Sequence, residues 1–379
     1  MNQLPILRTS ERQAFKRCQA KWWWAYREGL KPRGADKTPL WFGTLVHIAL
    51  AEWYRPGTKR GPHPAETFAK LAGDAVVAIK VTDADEETMA EYVDAVELGK
   101  TMLEGYVKLY GKDEQFSFIA TEQTFQLPVP FPGPERQLVW EVVDGTPILV
   151  YAGTFDGVYR DLETGRILLI EHKTAKAIIT SHLTLDDQAG SYWAIASRVL
   201  AEQGLIKPTE RISGINYNFL KKAMPDERPR DEQGYATNKP LKQHYILALD
   251  GKNDGMMPKE LGKMKLDELQ ALADRLGVLV LGDRSKTQPM PLFHREEVHR
   301  TAAERRTQLL RIQNEGMQMQ LLREGLLPIT KTPTRNCSWD CDYFQVCELQ
   351  ERGGDYKTTI EVAFEQRDPY ADHRKSTDE

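Results

Sequence analysis

The residues of this 379-residue chain best suited to chemistry are an aspartate at the end of one β-rich segment and a glutamate and lysine at the end of the next. Gly153-Thr154-Phe155-Asp156 is followed by a turn of charged and small residues, and then by Ile167-Leu168-Leu169-Ile170-Glu171-His172-Lys173-Thr174. In a strand, residues two apart share a face, so Glu171 and Lys173 project together while His172 points away. Two hard carboxylate ligands, Asp156 and Glu171, suit Mg²⁺ or Mn²⁺, with the backbone carbonyl of His172 as a further oxygen. Such an ion polarises a phosphoryl oxygen and acidifies a bound water, and Lys173 would orient that water and offset developing charge. The chemistry indicated is phosphodiester hydrolysis. Its plain rival is an ordinary hairpin whose Glu and Lys form an exposed pair.

A second set is formed by the four cysteines, divided as one plus three: Cys18, then Cys337-x3-Cys341-x5-Cys347. Three thiols within eleven residues point to a metal site ahead of disulfides in a reducing compartment. Four thiolates suit a structural Zn²⁺ or a [4Fe-4S] cluster, and free buried cysteines are the bland reading. Spacing leaves the three open.

Elements must position these groups. Thr9-Ser10 with Gln13 reads as a capping box that opens a helix over 11–27, with Cys18 inside it. Further helices are predicted over 43–54 and 83–110, the latter with an acidic, solvated face. From 116 to 171 the texture turns to short β segments, 118–127, 137–143, 148–159 and 167–172, which read as a meandering sheet. Helix returns over 185–203, residues 212–219 read as a strand, and 221–240 as a polar loop. Leu266, Leu269, Leu272 and Leu276 form an amphipathic stripe. A long charged helix is predicted over 294–327, and the last fifteen or so residues read as a frayed tail. The ending Gly99-Lys100-Thr101 mimics a phosphate-binding loop, but the glycine that should open it is Asp94 and the segment before it reads as helix.

Bulk properties bound the function. With 41% hydrophobic and 28% charged residues the chain can bury a sizeable core. The start, 1–12, lacks the pattern of a signal peptide, and no run nears the roughly 20 apolar residues of a membrane span. The expected compartment is the cytoplasm, with no membrane partner. At a net charge of −4, a nucleic acid would have to be held by a local basic patch. Residues 1–37 offer nine Lys or Arg against three acids, interleaved with Phe15, Trp22, Trp23, Trp24 and Tyr26. That mixture suits either backbone contact and base stacking or an amphipathic helix with core aromatics.

Over most of its length the chain resembles the RecB-like branch of the PD-(D/E)XK nucleases, which includes the RecB and AddB nuclease domains and CRISPR-associated exonucleases with iron-sulfur clusters. Four motifs carry the resemblance, in the expected order: Gly43-Thr44-Leu45-Val46-His47, Gly153 to Asp156, Ile170 to Thr174, and Gln188-Ala189-Gly190-Ser191-Tyr192. It implies that His47, Asp156 and Glu171 bind metal and that Lys173 is the catalytic lysine. Gln188 and Tyr192, four apart on one helix face, would contact substrate or brace the centre. Glu122 matches an acid often found on the sheet before the metal-binding Asp. A distant first cysteine before the His motif, with a trio after the nuclease motifs, implies that Cys18, Cys337, Cys341 and Cys347 hold a [4Fe-4S] cluster as a staple. Two departures stand out: Glu171 where many relatives have Asp, and His172 where an aromatic is common.

The resulting expectation is an α/β protein with the PD-(D/E)XK nuclease fold, a central mixed sheet flanked by helices. Five segments are set apart: an N-terminal helical segment 1–55, a nuclease core 56–220, an insertion 221–293, a C-terminal helix with the cluster cysteines 294–350, and a polar tail 351–379. The function implied is a metal-dependent exonuclease on single-stranded or frayed DNA ends, prokaryotic or phage-encoded. With no helicase motif present, unwinding would come from a helicase or recombinase partner. Competing readings are a catalytically silent DNA-binding accessory protein and a zinc-stapled structural protein.

Overall fold

The computed structural model describes residues 4–33, 40–80, 86–130, 147–252 and 258–371. The strand predicted over 137–143 lies outside them. The chain divides into two compact units, Met1–Lys222 with Phe293–Glu379, and Ala223–Leu292.

The first unit opens with β1 (Ile6–Arg8), α1 (Thr9–Arg17), α2 (Gln19–Trp22), a π-helical turn over Trp23–Arg27, and β2 (Leu30–Pro32). Helices α3 (Leu40–Trp53), α4 (Pro64–Lys80) and α5 (Glu86–Tyr110) follow, then β3 (Phe116–Pro130), β4 (Pro147–Asp161), β5 (Ile167–Ala175), α6 (Asp187–Glu202) and β6 (Ile212–Lys221). The second unit holds α7 (Lys242–Leu249), α8 (Pro258–Leu261) and α9 (Leu266–Leu276), gathered on Leu249, Leu261, Leu269 and Leu272. It spans nearly the same residues as the segment 221–293 set apart above. The first unit resumes with β7 (Phe293–His299), α10 (Ala302–Arg323), α11 (Cys337–Asp340), α12 (Phe344–Glu351), α13 (Tyr356–Ala363) and β8 (Phe364–Gln366).

A mixed sheet runs β1-β4-β5-β6-β7, with β3 also on β4. Pairings β1/β4 and β5/β6 are parallel, and β3/β4, β4/β5 and β6/β7 antiparallel. Strand β5 reads as nearly pure Ile and Leu because both of its faces are covered. Leu168 and Ile170 join Phe42, Val46, Leu50 and Leu103 beneath α3 and α5, while Ile167 and Leu169 join Tyr192, Ile195 and Ile312 beneath α6 and α10. This is the mixed α/β architecture that was expected, with helices on both faces. Among the described residues no helix is long and apolar enough to cross a membrane.

Several local expectations are corrected. The first helix is broken: Cys18 adopts an extended conformation (φ −166°, ψ 122°) between α1 and α2, so it caps a helix instead of lying inside one. The entry to α1 is secured by Glu11, whose carboxylate accepts the Arg8 N–H at 3.4 Å, and not by Gln13. Residues 294–299, predicted as the start of a long helix, belong instead to β7, an edge strand whose charges discourage a further strand from pairing. Thr301 then caps α10 by accepting the Glu304 N–H. The polar tail 351–379 carries α13 and β8, and β8 pairs antiparallel with β2, because Phe364 buries against Leu30, Tyr343 and Val346.

Candidate active site

Strand β4 has two edges. β3 occupies one along almost its full length, while β5 and β1 share the other, β5 at Gly157 to Arg160 and β1 at Val150 to Ala152. Gly157 with Ile170 is the last β4/β5 pair. The next residue on each strand is Asp156 and Glu171, so the two carboxylates flank the fork where the strands part. There the Asp156 Oδ2 accepts the backbone N–H of His172 at 2.7 Å, continuing with a side chain the hydrogen bonding the ladder has given up.

His47 reaches the fork from α3. Its Nδ1 lies 3.4 Å from Asp156 Oδ1 and 3.8 Å from Glu122 Oε1. Glu122 stands on β3 at φ +45°, a left-handed conformation unusual for a non-glycine residue and costly by roughly 1 to 3 kcal/mol. Ligand atoms of His47, Glu122 and Asp156 all lie within 4.8 Å of one another, a spacing that a single cation could bridge. Glu122 is thus brought into the group, and Glu171 is not: its Oε1 accepts from Lys173 Nζ at 2.6 Å. Lys173 Nζ also donates to Gln188 Oε1 at 3.3 Å, which ties the first turn of α6 to the centre.

The electrostatics follow from this crowding of acids. Burial opposes charge on His47, but the Asp156 carboxylate, with Glu122 and Glu171, raises its pKa to about 9. Burial would raise Asp156, yet the facing His47 charge, with the bond from the His172 N–H, holds it below the usual carboxylate range. Burial and Asp156 push Glu171 up to about 7 against the pull of Lys173, and burial and Asp156 likewise push Glu122 to about 7. Lys173 is held above its ordinary value, Glu171 outweighing burial.

Glu171 and Lys173 share a face, as their spacing demands, and His172 is turned away and buried. Burial drops the His172 imidazole to about 3, so it is neutral. Its Nδ1 accepts from Asn218 Nδ2 at 2.8 Å, and its ring stacks on Tyr54. Asn218 Oδ1 accepts from Arg295 Nε at 3.1 Å, and Arg295 pairs with the buried Asp113 at 2.7 Å, with Tyr54 and Tyr106 hydroxyls alongside. The sequence reading missed this network. One signal was there: Ile215-Asn216-Tyr217-Asn218-Phe219 carries two Asn, one on each side of Tyr217 and on one face of an otherwise apolar strand.

Tyr192 takes a different place from Gln188. It is buried, with its ring edge-on to Phe125 and Phe155, so it braces β4 from below the residue before Asp156. Gly153 explains the opening of its motif. A Cβ there would meet Phe125 at 2.8 Å and Tyr192 at 3.1 Å, so only glycine lets α6 pack this close.

The N-terminal basic run is largely consumed within the fold. Arg12, fully buried, bonds Glu315, Ser191 and Asp187; Lys16 pairs with Asp187 and Arg17 with Asp340. Phe15 and Trp22 are core. For these residues the amphipathic reading prevails over the stacking surface.

All four cysteines are free thiols lining one cavity of about 270 Å³. The break at Cys18 and the short helices α11 and α12 bring them there. Backbone N–H groups of Thr332 and Thr334 donate to Cys18 Sγ (3.5 Å) and Cys337 Sγ (3.3 Å), and the bond from Thr334 lowers the Cys337 pKa. Arg17, Lys21, Lys331 and Arg352 also line the space.

In a comparison with protein families, residues 9–348 match the one described as PD-(D/E)XK nuclease superfamily. A comparison with curated proteins gave no match.

Proposed function

Because the chain belongs to the PD-(D/E)XK nuclease superfamily, we propose that it is a divalent-metal-dependent deoxyribonuclease acting as an exonuclease on single-stranded or frayed DNA ends. The observation that carries this reading is the convergence of His47, Glu122 and Asp156 from three elements on one point, beside the Glu171 and Lys173 pair.

The donor set fits the cation. Carboxylate oxygens suit Mg²⁺ and Mn²⁺, and an imidazole in the set favours the first-row ion. His47, Glu122 and Asp156 would hold it, with Glu171 and the His172 carbonyl as further ligands. When bound, the ion supplies Lewis acidity and a more acidic water. The remaining work belongs to the chain. Lys173, fixed between Glu171 and Gln188, orients the attacking water and offsets charge at the scissile phosphate. Gln188 keeps the lysine aimed. Tyr192 and Asn218 are positioning residues, the one under β4 and the other behind His172. The motif resemblance to the RecB-like branch supports the choice of DNA ends as substrate, and a helicase or recombinase would deliver them.

The cysteine cavity fits a [4Fe-4S] cluster serving as a staple. Four thiols with N–H donors to two of the sulfurs suit an anionic thiolate cluster.

Digestion of end-labelled single and double strands with Mn²⁺ or Mg²⁺ tests the activity. Stepwise release of nucleotides from single-stranded or frayed ends is expected. Cutting of closed circular DNA would replace the exonuclease reading, and inertness towards all DNA with either ion would overturn the proposal. Anaerobically purified protein should contain iron and acid-labile sulfide, whereas colourless protein with zinc would exclude the cluster.

A further inference from the structure

A cavity of about 360 Å³ lies away from the fork, between the C-terminal half of α6, the loop leading into β6, and the first turns of α10. Its lining includes Arg198, Arg211 and Arg305, with Glu202, Ala201 and Pro208. Along α6 the distance from Gln188 to Arg198 is ten residues, or about 15 Å at the usual helical rise. The space is therefore separate from the catalytic fork, and none of its residues was used above.

Three arginines line one small cavity, and one of them, Arg198, is already paired with the lining Glu202. The acids at hand are already engaged. Glu202 pairs with Arg198 at 2.7 Å, and Glu210, next to Arg211 in sequence, pairs with Arg160 at 2.7 Å and accepts the Lys207 N–H. Among the described residues Arg211 and Arg305 have no carboxylate partner. Arg211 donates to the Pro208 and Glu210 carbonyls, and Arg305 Nε to the Ala194 carbonyl. Both keep further N–H groups for a ligand. The amino end of α10 and the carboxyl end of α6 meet here with opposing half-charges, so the guanidiniums decide the sign. A volume of this order is that of a small-molecule site, and a guanidinium fork matches phosphate oxygens in pairs.

We infer that this cavity is a binding site for a phosphate-bearing ligand, held by Arg211 and Arg305 with Arg198 beside them. The phosphate could come from a free phosphomonoester, of the kind a nuclease releases, or from the backbone of a bound strand. In the second case the inference deepens the proposed nuclease reading.

Calorimetry on full-length Lys173→Met protein, which holds the ligand uncut, separates the sources and leaves the nuclease reading untouched if the site fails. The probes are inorganic phosphate, thymidine monophosphate and a short single-stranded oligonucleotide. Substituting Arg211→Ala, at an exposed position, should weaken binding about tenfold, the order of one charge-assisted hydrogen bond. Arg305→Gln, which keeps a donor near the Ala194 carbonyl, should do the same. Phosphate and monophosphate weakened in both variants mark a phosphomonoester site. Weakening of the oligonucleotide alone marks a backbone contact. Binding of no probe, or binding that both variants leave unchanged, overturns the inference.

Discussion

The fork and the cysteine cavity are both candidate metal sites, and they are held in place by opposite means. At the fork, His47, Asp156 and Glu171 stand on elements buried on both sides, with Phe42, Val46, Leu50 and Ile170 on one face and Phe155, Leu169 and Tyr192 on the other. The cavity is walled by two short helices and a helix break, and the core beside it is Leu30, Tyr343, Val346 and Phe364. Packing builds the first site without its ion. The second has a smaller apolar core beside it, and in the proposed reading it draws further order from what the thiols bind.

The contrast is broken most directly at the fork. Asp156→Asn keeps an oxygen that can accept the His172 N–H but removes the charge facing His47. DNA cleavage should fall by about a thousandfold or more, as when one group that stabilises charge in a transition state is removed, while the melting temperature stays near that of the parent. A comparable loss of both would mean that the fork, too, is organised by its ion.

At the cavity the order reverses. Cys18 and Cys337 lie 319 residues apart, so their bridging closes a very long loop. Removal of the bound cofactor, or Cys341→Ser, should cost on the order of 3 kcal/mol of stability. Limited proteolysis should then cut first within 331–371, whereas chelating divalent ions at the fork leaves that pattern unchanged.

A pH series sharpens the comparison further. Metal-free His47 holds its proton to about pH 9, and only the neutral imidazole ligates. Below that value each unit of falling pH favours the proton tenfold over the cation. Mg²⁺ affinity measured by calorimetry should therefore rise about tenfold per unit from pH 7 and level off near pH 9. An affinity flat across that range would remove His47 from the ligand set.

The smallest effect is expected behind the centre. Asn218→Leu strands the Arg295 Nε–H and the His172 Nδ1 without partners, and should lower stability by about 2 kcal/mol in a denaturant titration.

Much of the fork was legible because its signals are local. The apolar run before Glu171, its spacing to Lys173, and the i, i+4 pair Gln188 and Tyr192 need only strand and helix periodicity. What escaped depended on distant partners. Phe293 to His299 looks like helix because its charges have no alternation, and only its place at the sheet edge makes it a strand. Arg12 reads as a DNA-facing cation until Asp187 and Glu315, far along the chain, are seen to claim it. Tyr192 shares a motif with Gln188, yet it points into the core, since Gly153 admits it there. Glu122 lay at a β-strand position whose backbone conformation no sequence pattern announces.

Cleavage by Lys173→Met, compared with the parent under single-turnover conditions and saturating Mn²⁺, isolates the contribution of the lysine ammonium at the fork. The substitution keeps the side chain's apolar stem and removes only the ammonium that Glu171 and Gln188 hold. A rate at least about a thousandfold lower is expected, with Mn²⁺ binding and melting temperature retained. A rate within tenfold of the parent would contradict that contribution.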